Sequence, residues 1–575
     1  MNTVHLPPPR PPDTAAPQVD APYASEATRL LCAGTYLDAE YRDRVIGELY
    51  LMEHRVAAPS LGFDAARVLA HALRARRVEL VWACGVLGLL TVGVAASGGW
   101  LLTLVLPGLL LALGRWIRGT AEDPPGRRRL PSAWLRWSAR LLLTFLVITT
   151  LAIGFGTSSG AGTYEKVSPF LPAPLRSDNV SGLEAWLALA TLLAMAGCAA
   201  GKQVHFTRVL RGELSPRHFP DAANDPAEGV GGRRFQMLKH RIRVEQHSPL
   251  VMYHEARPFC GAGTAHDTWV LAVEMRPDPA RERQPIGNAT VLATVRPLLE
   301  QLREVAERSE REGRVVRDRL RHLRIDECVF LPVEGLLHRE EAPYDQASFE
   351  LHRAGAVEEG GEKRRHFLRI RVGGWEEELV VTVFVRVHTQ GRMLMLEVAP
   401  HVLFPVRGDF KDADHEAYGF ADKRLLGKAV HILTRTTSAP GQALAVLGRH
   451  AIRGWHRLTG EFEGGLPEGP AASVRELAAE PGGSLFQSMD VDRYLRSVQD
   501  RIAYGVKMSL AEAGYQTDEF AQKVVHVSNG GVNIESVVSS TFAIGDHARA
   551  TATQQAGTTS GGRTPPQKGP TRDGQ

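Results

Sequence analysis

Apolar positions are unevenly spread along this chain. Residues 80–114 contain no charged side chain, a run of about 35 positions, whereas one bilayer-crossing helix needs about 20. Ser97-Gly98-Gly99 interrupts the run and predicts a helical hairpin with a tight turn; because each arm is short, a re-entrant loop is the alternative. Residues 141–164 and 185–201 are further charge-free runs. The pattern predicts four spans, at about 80–97, 99–114, 141–159 and 185–201.

Elsewhere the periodicity is that of soluble elements. Residues 38–53 have helical composition, 57–62 punctuate them, and Asp64-Ala65-Ala66 starts a helix running toward the first span. Residues 268–275 read as a strand, and Pro297 opens a helix with Leu298, Leu302 and Val305 on one face, continued by Val316, Leu320 and Leu323. Three alternating or β-branched runs, 367–372, 379–387 and 393–398, form a meander with a turn at Gln390-Gly391. Helical patterns return at 415–434 and 442–458, and at 490–513 with Leu495, Val498 and Ile502 on one stripe and Gly514 as the stop.

The expected fold is therefore an α-helical membrane anchor of four spans (78–202), a cytoplasmic α+β domain (234–470) and a short C-terminal β motif (524–550). Residues 25–77 form a small helical unit, 203–233 a linker and 484–515 an amphipathic helix region. The Pro-rich lead (1–24) and the Thr-, Gly-, Gln- and Pro-rich tail (551–575) are expected to be disordered.

Charge orients this plan. The 575 residues carry a formal net charge of +4, and the basic side chains are asymmetric about the apolar runs. Arg67, Arg74, Arg76 and Arg77 precede the first span. Seven arginines, from Arg115 to Arg140, lie between the second and third, and Lys202, Arg208 and Arg211 follow the fourth. Only Lys166 and Arg176 lie between the third and fourth. Basic loops stay inside, so both termini are expected in the cytoplasm, with the plasma membrane as the location. The chain start lacks the pattern of a signal peptide, so the first span would direct insertion. No ionisable side chain lies within a span, which argues against a pump or voltage sensor and for an anchor.

Candidate chemistry is sparse. Five scattered cysteines argue against a disulfide framework. Gly156-Thr157-Ser158-Ser159-Gly160 matches a nucleophile elbow but lacks the strand before and the helix after it. Pro258-Phe259-Cys260-Gly261-Ala262-Gly263-Thr264 could bring backbone N–H groups to a phosphate, yet no third glycine or Gly-Lys-Ser/Thr follows, and a structural turn is the simpler expectation. His247, His254, Cys260 and His266 cluster in sequence without the close pairing of zinc sites. His254, Cys260, Gly261, Gly263 and His266 stand as a candidate pocket, with no catalytic residue, metal or cofactor assigned. The Arg-rich runs at 303–324 and 363–371 alternate with Glu or apolar residues, as solvated faces do, and give no nucleic-acid footprint.

Residues 524–550 differ from the rest. Two short β-prone pieces, around Val532-Asn533-Ile534 and Phe542-Ala543-Ile544-Gly545, have no partner strand beyond each other. Such strands become stable when identical copies stack, or when the hairpin docks on its own domain. The core Phe542-Ala543-Ile544-Gly545 resembles bacterial amyloid signalling motifs related to RHIM, with Ala543 where that family has Gln. The run AIGDHARA also resembles one β-roll repeat of trimeric autotransporter heads. Both resemblances imply self-stacking, and the first implies recognition between an effector and its receptor. Residues 31–50, 58–77 and the PFCGAG stretch resemble uncharacterised actinobacterial multi-pass membrane proteins, a resemblance that implies no activity. The expected partners are the lipid bilayer and either further copies of the chain or a protein with a matching motif. The expected role is signalling, as a scaffold or effector; the alternative is a membrane-tethered enzyme within residues 234–470.

Overall fold

Several helices in this chain start where a side chain accepts the first free N–H groups. The computed structural model describes residues 21–118, 126–156, 180–229, 231–303, 320, 322–358, 361–374, 378–413, 439–459 and 465–528. They divide into two units between Gln516 and Thr517. Ser25 accepts from Thr28 N–H and opens α1 (Glu26–Leu37), and Asp38 accepts from Glu40 and Tyr41 N–H to open α2 (Ala39–Ile46). Asp64 caps α3 (Ala65–Ala96) through Ala66 N–H at 3.0 Å. α3 has 32 residues and meets two environments. Its first turns are buried against α1 and α2, while Val81 and Val92 further along are 70% and 69% exposed.

Gly98 and Gly99, at φ +56° and +89°, turn the chain into α4 (Trp100–Arg118). α5 (Gly126–Gly154) and α6 (Gly182–Arg211) follow. Among the described residues, three helical segments are long and apolar enough to cross a membrane: Ala65–Ala96, Leu130–Gly154 and Gly182–Arg211. α4 is not among them. It carries Pro107, buries Trp100, Leu101 and Leu104 against Leu146 of α5 and Ala188 of α6, and its Trp100 indole N–H donates to Thr150 Oγ1 at 3.1 Å.

α6 also continues past its apolar part, and its Val209 and Leu210 join the apolar cluster of Leu31, Phe63 and Leu69. The segment read as a linker is packed rather than free. Leu214, Phe219, Asp225 and Ala227 are all buried. Its Pro, Gly and Asp content marks irregular backbone, which is compatible with burial once side chains satisfy the polar groups. Arg67 Nε and Nη2 donate to Asp225 Oδ2 at 3.0 and 2.8 Å, and His71 Nε2 lies 3.0 Å from the same oxygen. Tyr36 hydroxyl completes the chain at His71 Nδ1, and the Arg67 guanidinium stacks 3.7 Å over Phe219.

α7 (Arg233–His247) links this helical unit to the sheet. Its Glu245 is buried with Arg339 at 2.7 Å and accepts Ala57 N–H at 2.8 Å. The strands are β1 (Leu250–Tyr253), β2 (Thr264–Ala265) and β3 (Trp269–Glu274); then, after α8 (Asn288–Glu300), β4 (Leu323–Pro332). α9 (Gln346–Glu358) precedes the meander β5 (Arg365–Gly374), β6 (Leu379–Gln390) and β7 (Met393–Leu403), which turns at Gly391, φ +62°. They form a curled mixed sheet in the order β1-β4-β5-β6-β7-β2, with β3 also on β7; only the β1–β4 pairing is parallel. Pro297 lies in the last turn of α8 rather than opening it, where its missing N–H removes a single helical bond.

α10 (Ala439–Leu458) lies against α3, and α11 (Leu485–Glu512) lies on α8. Gly505 permits that approach, since a Cβ there would meet Val295 at 2.8 Å. α8, α9 and α11 cover one sheet face. There Glu327 gathers Arg296 of α8 at 3.2 Å, Arg353 of α9 at 3.1 Å and His366 of β5 at 3.1 Å. The other face carries Phe330, Phe367, Phe384 and Ala399, with Arg371, Thr382 and His401 in register on neighbouring strands. In the second unit, α12 spans Asp518–Ser528.

Two predictions follow from these charges. Asp225→Ala strands the buried Arg67 and is expected to cost about 3–5 kcal/mol of local stability, whereas Glu40→Ala, which breaks an exposed pair with Arg44, costs under about 0.5 kcal/mol. Amide hydrogen exchange over residues 66–75 reads the difference. The His366 hydrogen bond, outweighing burial and joined by the charges of His366 and Arg353, holds the Glu327 carboxyl down at about 2. Its stabilising effect is therefore complete above the ordinary Glu value of about 4.3 and fades as pH falls toward 2. Glu327→Gln should flatten the acid limb of sheet-domain stability between those values, measured by tryptophan fluorescence against pH.

Candidate functional site

The turn between β1 and β2 is fixed by one aromatic side chain and two glycines. Phe259 inserts into the aromatic sheet face, its ring 4.7 Å from those of Phe384 and His401 and 5.3 Å from Phe330. Gly261 and Gly263 have φ of +97° and +99°. A Cβ on Gly261 would lie 2.5 Å from Pro59 O, and one on Gly263 would lie 2.2 Å from Val402 O. Both positions thus combine a left-handed backbone with a close main-chain approach, which only glycine tolerates.

This geometry aims two N–H groups at one point. Gly261 and Gly263 N–H both donate to Glu476 Oε1, at 2.7 and 2.9 Å. Ser473 N–H donates to Oε2 at 3.3 Å, and the Cys260 thiol lies 3.8 Å from that oxygen. The anion cradle considered from the glycine spacing therefore exists, and the protein's own carboxylate fills it. Burial, reinforced by the negative charge of Glu476, pushes the Cys260 thiol far above its usual range, so it stays protonated at neutral pH.

Beside this nest lies a cavity of about 640 Å³, lined by Phe259, Cys260, His401, Phe404, Glu476 and Glu480 among others. Burial lowers the affinity of His401 for a proton, and its Nδ1 sits 3.2 Å from Ala399 O, an arrangement that leaves Nε2 as the acceptor of a neutral ring. The cavity thus presents a neutral imidazole, a protonated thiol and two carboxylates against aromatic walls. That set suits binding of a small molecule with an apolar body and hydrogen-bond donors; it holds no activated thiolate.

The other candidates are dispersed. His254 Nδ1 accepts Ala256 N–H at 3.1 Å, and His266 lies at the half-exposed surface, 3.9 Å from Asp492. His247 contacts Gln246 in α7. No group of three or more His, Cys, Asp or Glu side chains is placed to hold a metal among the described residues. Val532, Asn533, Ile534, Phe542, Ala543, Ile544 and Gly545 lie outside the described residues, as does most of the nucleophile-elbow match. Sequence reasoning missed Glu476, His401 and the β1 strand; an isolated acid more than 200 positions from the glycines leaves no local pattern.

Residues 268–539 match the AbeC-like domain family, which supports an uncharacterised bacterial family for that part of the chain. The matched range runs from the start of β3 past α12 and excludes the apolar helices and the glycine nest. No curated protein matches the chain. No solved structure matches it either.

The nest makes a direct prediction. Cys260 in the folded chain should react with iodoacetamide at pH 8 about 100-fold more slowly than in urea. Glu476→Ala should remove most of that protection by leaving two N–H groups unsatisfied, at a cost of about 2–4 kcal/mol. Peptide mass spectrometry gives both rates, and equal rates in the folded and unfolded wild type would mean a reactive thiol.

Proposed function

We propose that this chain is an integral plasma-membrane protein of four spans with both termini in the cytoplasm, acting in signalling as a scaffold or effector. In this reading the sheet domain is held at a fixed height above the bilayer, and residues 524–550 recruit further copies or a protein carrying a matching motif. What supports it most is the continuity of α3 and α6, whose apolar stretches pass without a break into helical turns buried in the soluble core. A flexible tether would suffice merely to keep a domain near a membrane; two continuous helices suit a protein in which position or rotation matters. The arginine asymmetry supports the orientation.

The cavity beside Glu476 favours a second reading, in which the sheet domain is an enzyme tethered to the membrane. The protonated Cys260 weighs against a thiolate mechanism there.

The assembly reading is tested on the full chain in detergent. Deleting residues 524–550 should reduce the particle to a single copy by light scattering, with thermal unfolding of the sheet domain unchanged. An unaltered mass would falsify the role given to that segment.

A further inference from the structure

α10 belongs to the sheet domain by sequence position but packs elsewhere. Its Ala443 and Val446 are buried against Ala83 and Val86 of α3 and Met195 of α6, all within or beside the charge-free runs. At its other end His450 accepts from Arg76 at 2.7 Å and Arg453 pairs with Asp43 at 2.6 Å. α10 therefore runs beside α3 from the level of the apolar run up to the helical unit. Leu444, Ile452 and Trp455, on the side turned away from α3, are 58%, 59% and 67% exposed. A helix with one face on a candidate span, apolar side chains exposed on the other and arginines toward one end has the composition of a membrane-interface helix.

Between α3, α6 and α10 lies a cleft of about 330 Å³. Trp82, Val86, Cys198 and Val446 form its apolar wall, and Glu79, Lys202 and Arg449 its polar rim. The Trp82 ring is drawn in over Gly201, where a Cβ would come within 2.7 Å of it. Glu79 is already neutralised by a close ion pair with Arg42, and Lys202 stands 3.7 Å from it with 42% of its side chain exposed. Arg449 forms no ion pair among the described residues. The rim thus has a net positive charge, located where the charge-free runs of α3 and α6 end.

We propose that this cleft is a site for an anionic phospholipid of the cytoplasmic leaflet. Lys202 and Arg449 hold the headgroup phosphate, and the first part of an acyl chain lies along Trp82, Val86, Cys198 and Val446. The volume is at the low end of small-ligand sites, enough for a headgroup and the adjoining methylenes. A basic rim at the cytoplasmic end of apolar helices attracts such headgroups. The inference rests on the reading that α3 and α6 cross the membrane, and it adds the lipid class that the anchor selects.

The test uses the full chain in nanodiscs of phosphatidylcholine containing a minority of phosphatidylglycerol, with retained lipid counted by native mass spectrometry. The Lys202→Ala, Arg449→Ala double variant should retain roughly 25-fold less phosphatidylglycerol, each basic side chain contributing about fivefold. Lys202→Arg should retain it, and Arg44→Ala on the exposed face of α2 should behave as wild type. Equal retention in the double variant, with an unchanged unfolding temperature, overturns the site. Displacement of the lipid by glycerol phosphate at equal concentration overturns the lipid as occupant in favour of a soluble phosphate. Release of the wild-type chain from membranes by alkaline carbonate would instead overturn the membrane reading itself, before any lipid is counted.

Discussion

Asp225 accepts from both side nitrogens of the Arg67 fork and faces His71, while Ala227 N–H occupies its other oxygen. Most of the N-terminal architecture depends on that carboxylate. α3 must place an arginine and a histidine inside protein within a few turns of a stretch without any charge, and a buried guanidinium is tolerable only when paired and hydrogen-bonded. Burial pushes the Asp225 carboxyl up, yet the hydrogen bond and charge of His71, the Ala227 N–H and Arg67 together hold it well below the usual range. The helical unit can then use α3 as its central member, with α1, α2, α6 and α7 packed around it.

Similar pairings bind this unit to the sheet domain. Glu245 joins Arg339 and the Ala57 N–H, and Asp64 caps α3 while accepting from Arg243 and Gln246. Each carboxylate serves as a cap or a backbone acceptor and as one half of an ion pair, so few buried oxygens are left without donors. At the glycine nest Glu476 likewise accepts backbone N–H groups, from Gly261, Gly263 and Ser473. At Ala57 and at the glycine nest, irregular backbone is held by a distant acid, Glu245 or Glu476, whereas Asp64 and Asp225 accept the N–H two residues on and reach distant elements through side chains.

That habit sets what could be read from the sequence. The meander was legible because alternation in 367–372 and 393–398 and the turn glycine Gly391 are local signals. The start of α3 was legible from the cap at Asp64, its later part, read as a separate span at 80–97, from the absence of charge, and the helix at 442–458 from periodicity. Periodicity states that a helix has a buried face without naming the partner, so the seat of α10 on α3 was not legible. The packing of Phe219 and Asp225 was hidden by Pro- and Gly-rich composition, and β1, a four-residue strand, was too short to show a period. At the candidate site the two glycines were legible as a turn, while Glu476 and His401 come from other elements and carry no pattern.

The separation of Arg67 from Asp225 by 158 residues has a consequence for biosynthesis. A growing chain emits α3 with its arginine and histidine long before their acceptor exists, and the intervening residues include every apolar run. Until α6 has been made, the N-terminal unit lacks Val209, Leu210 and Phe219 from its core as well as the carboxylate. Closure of that unit is therefore a late event, and the finished unit is a record that all the intervening helices have already been delivered.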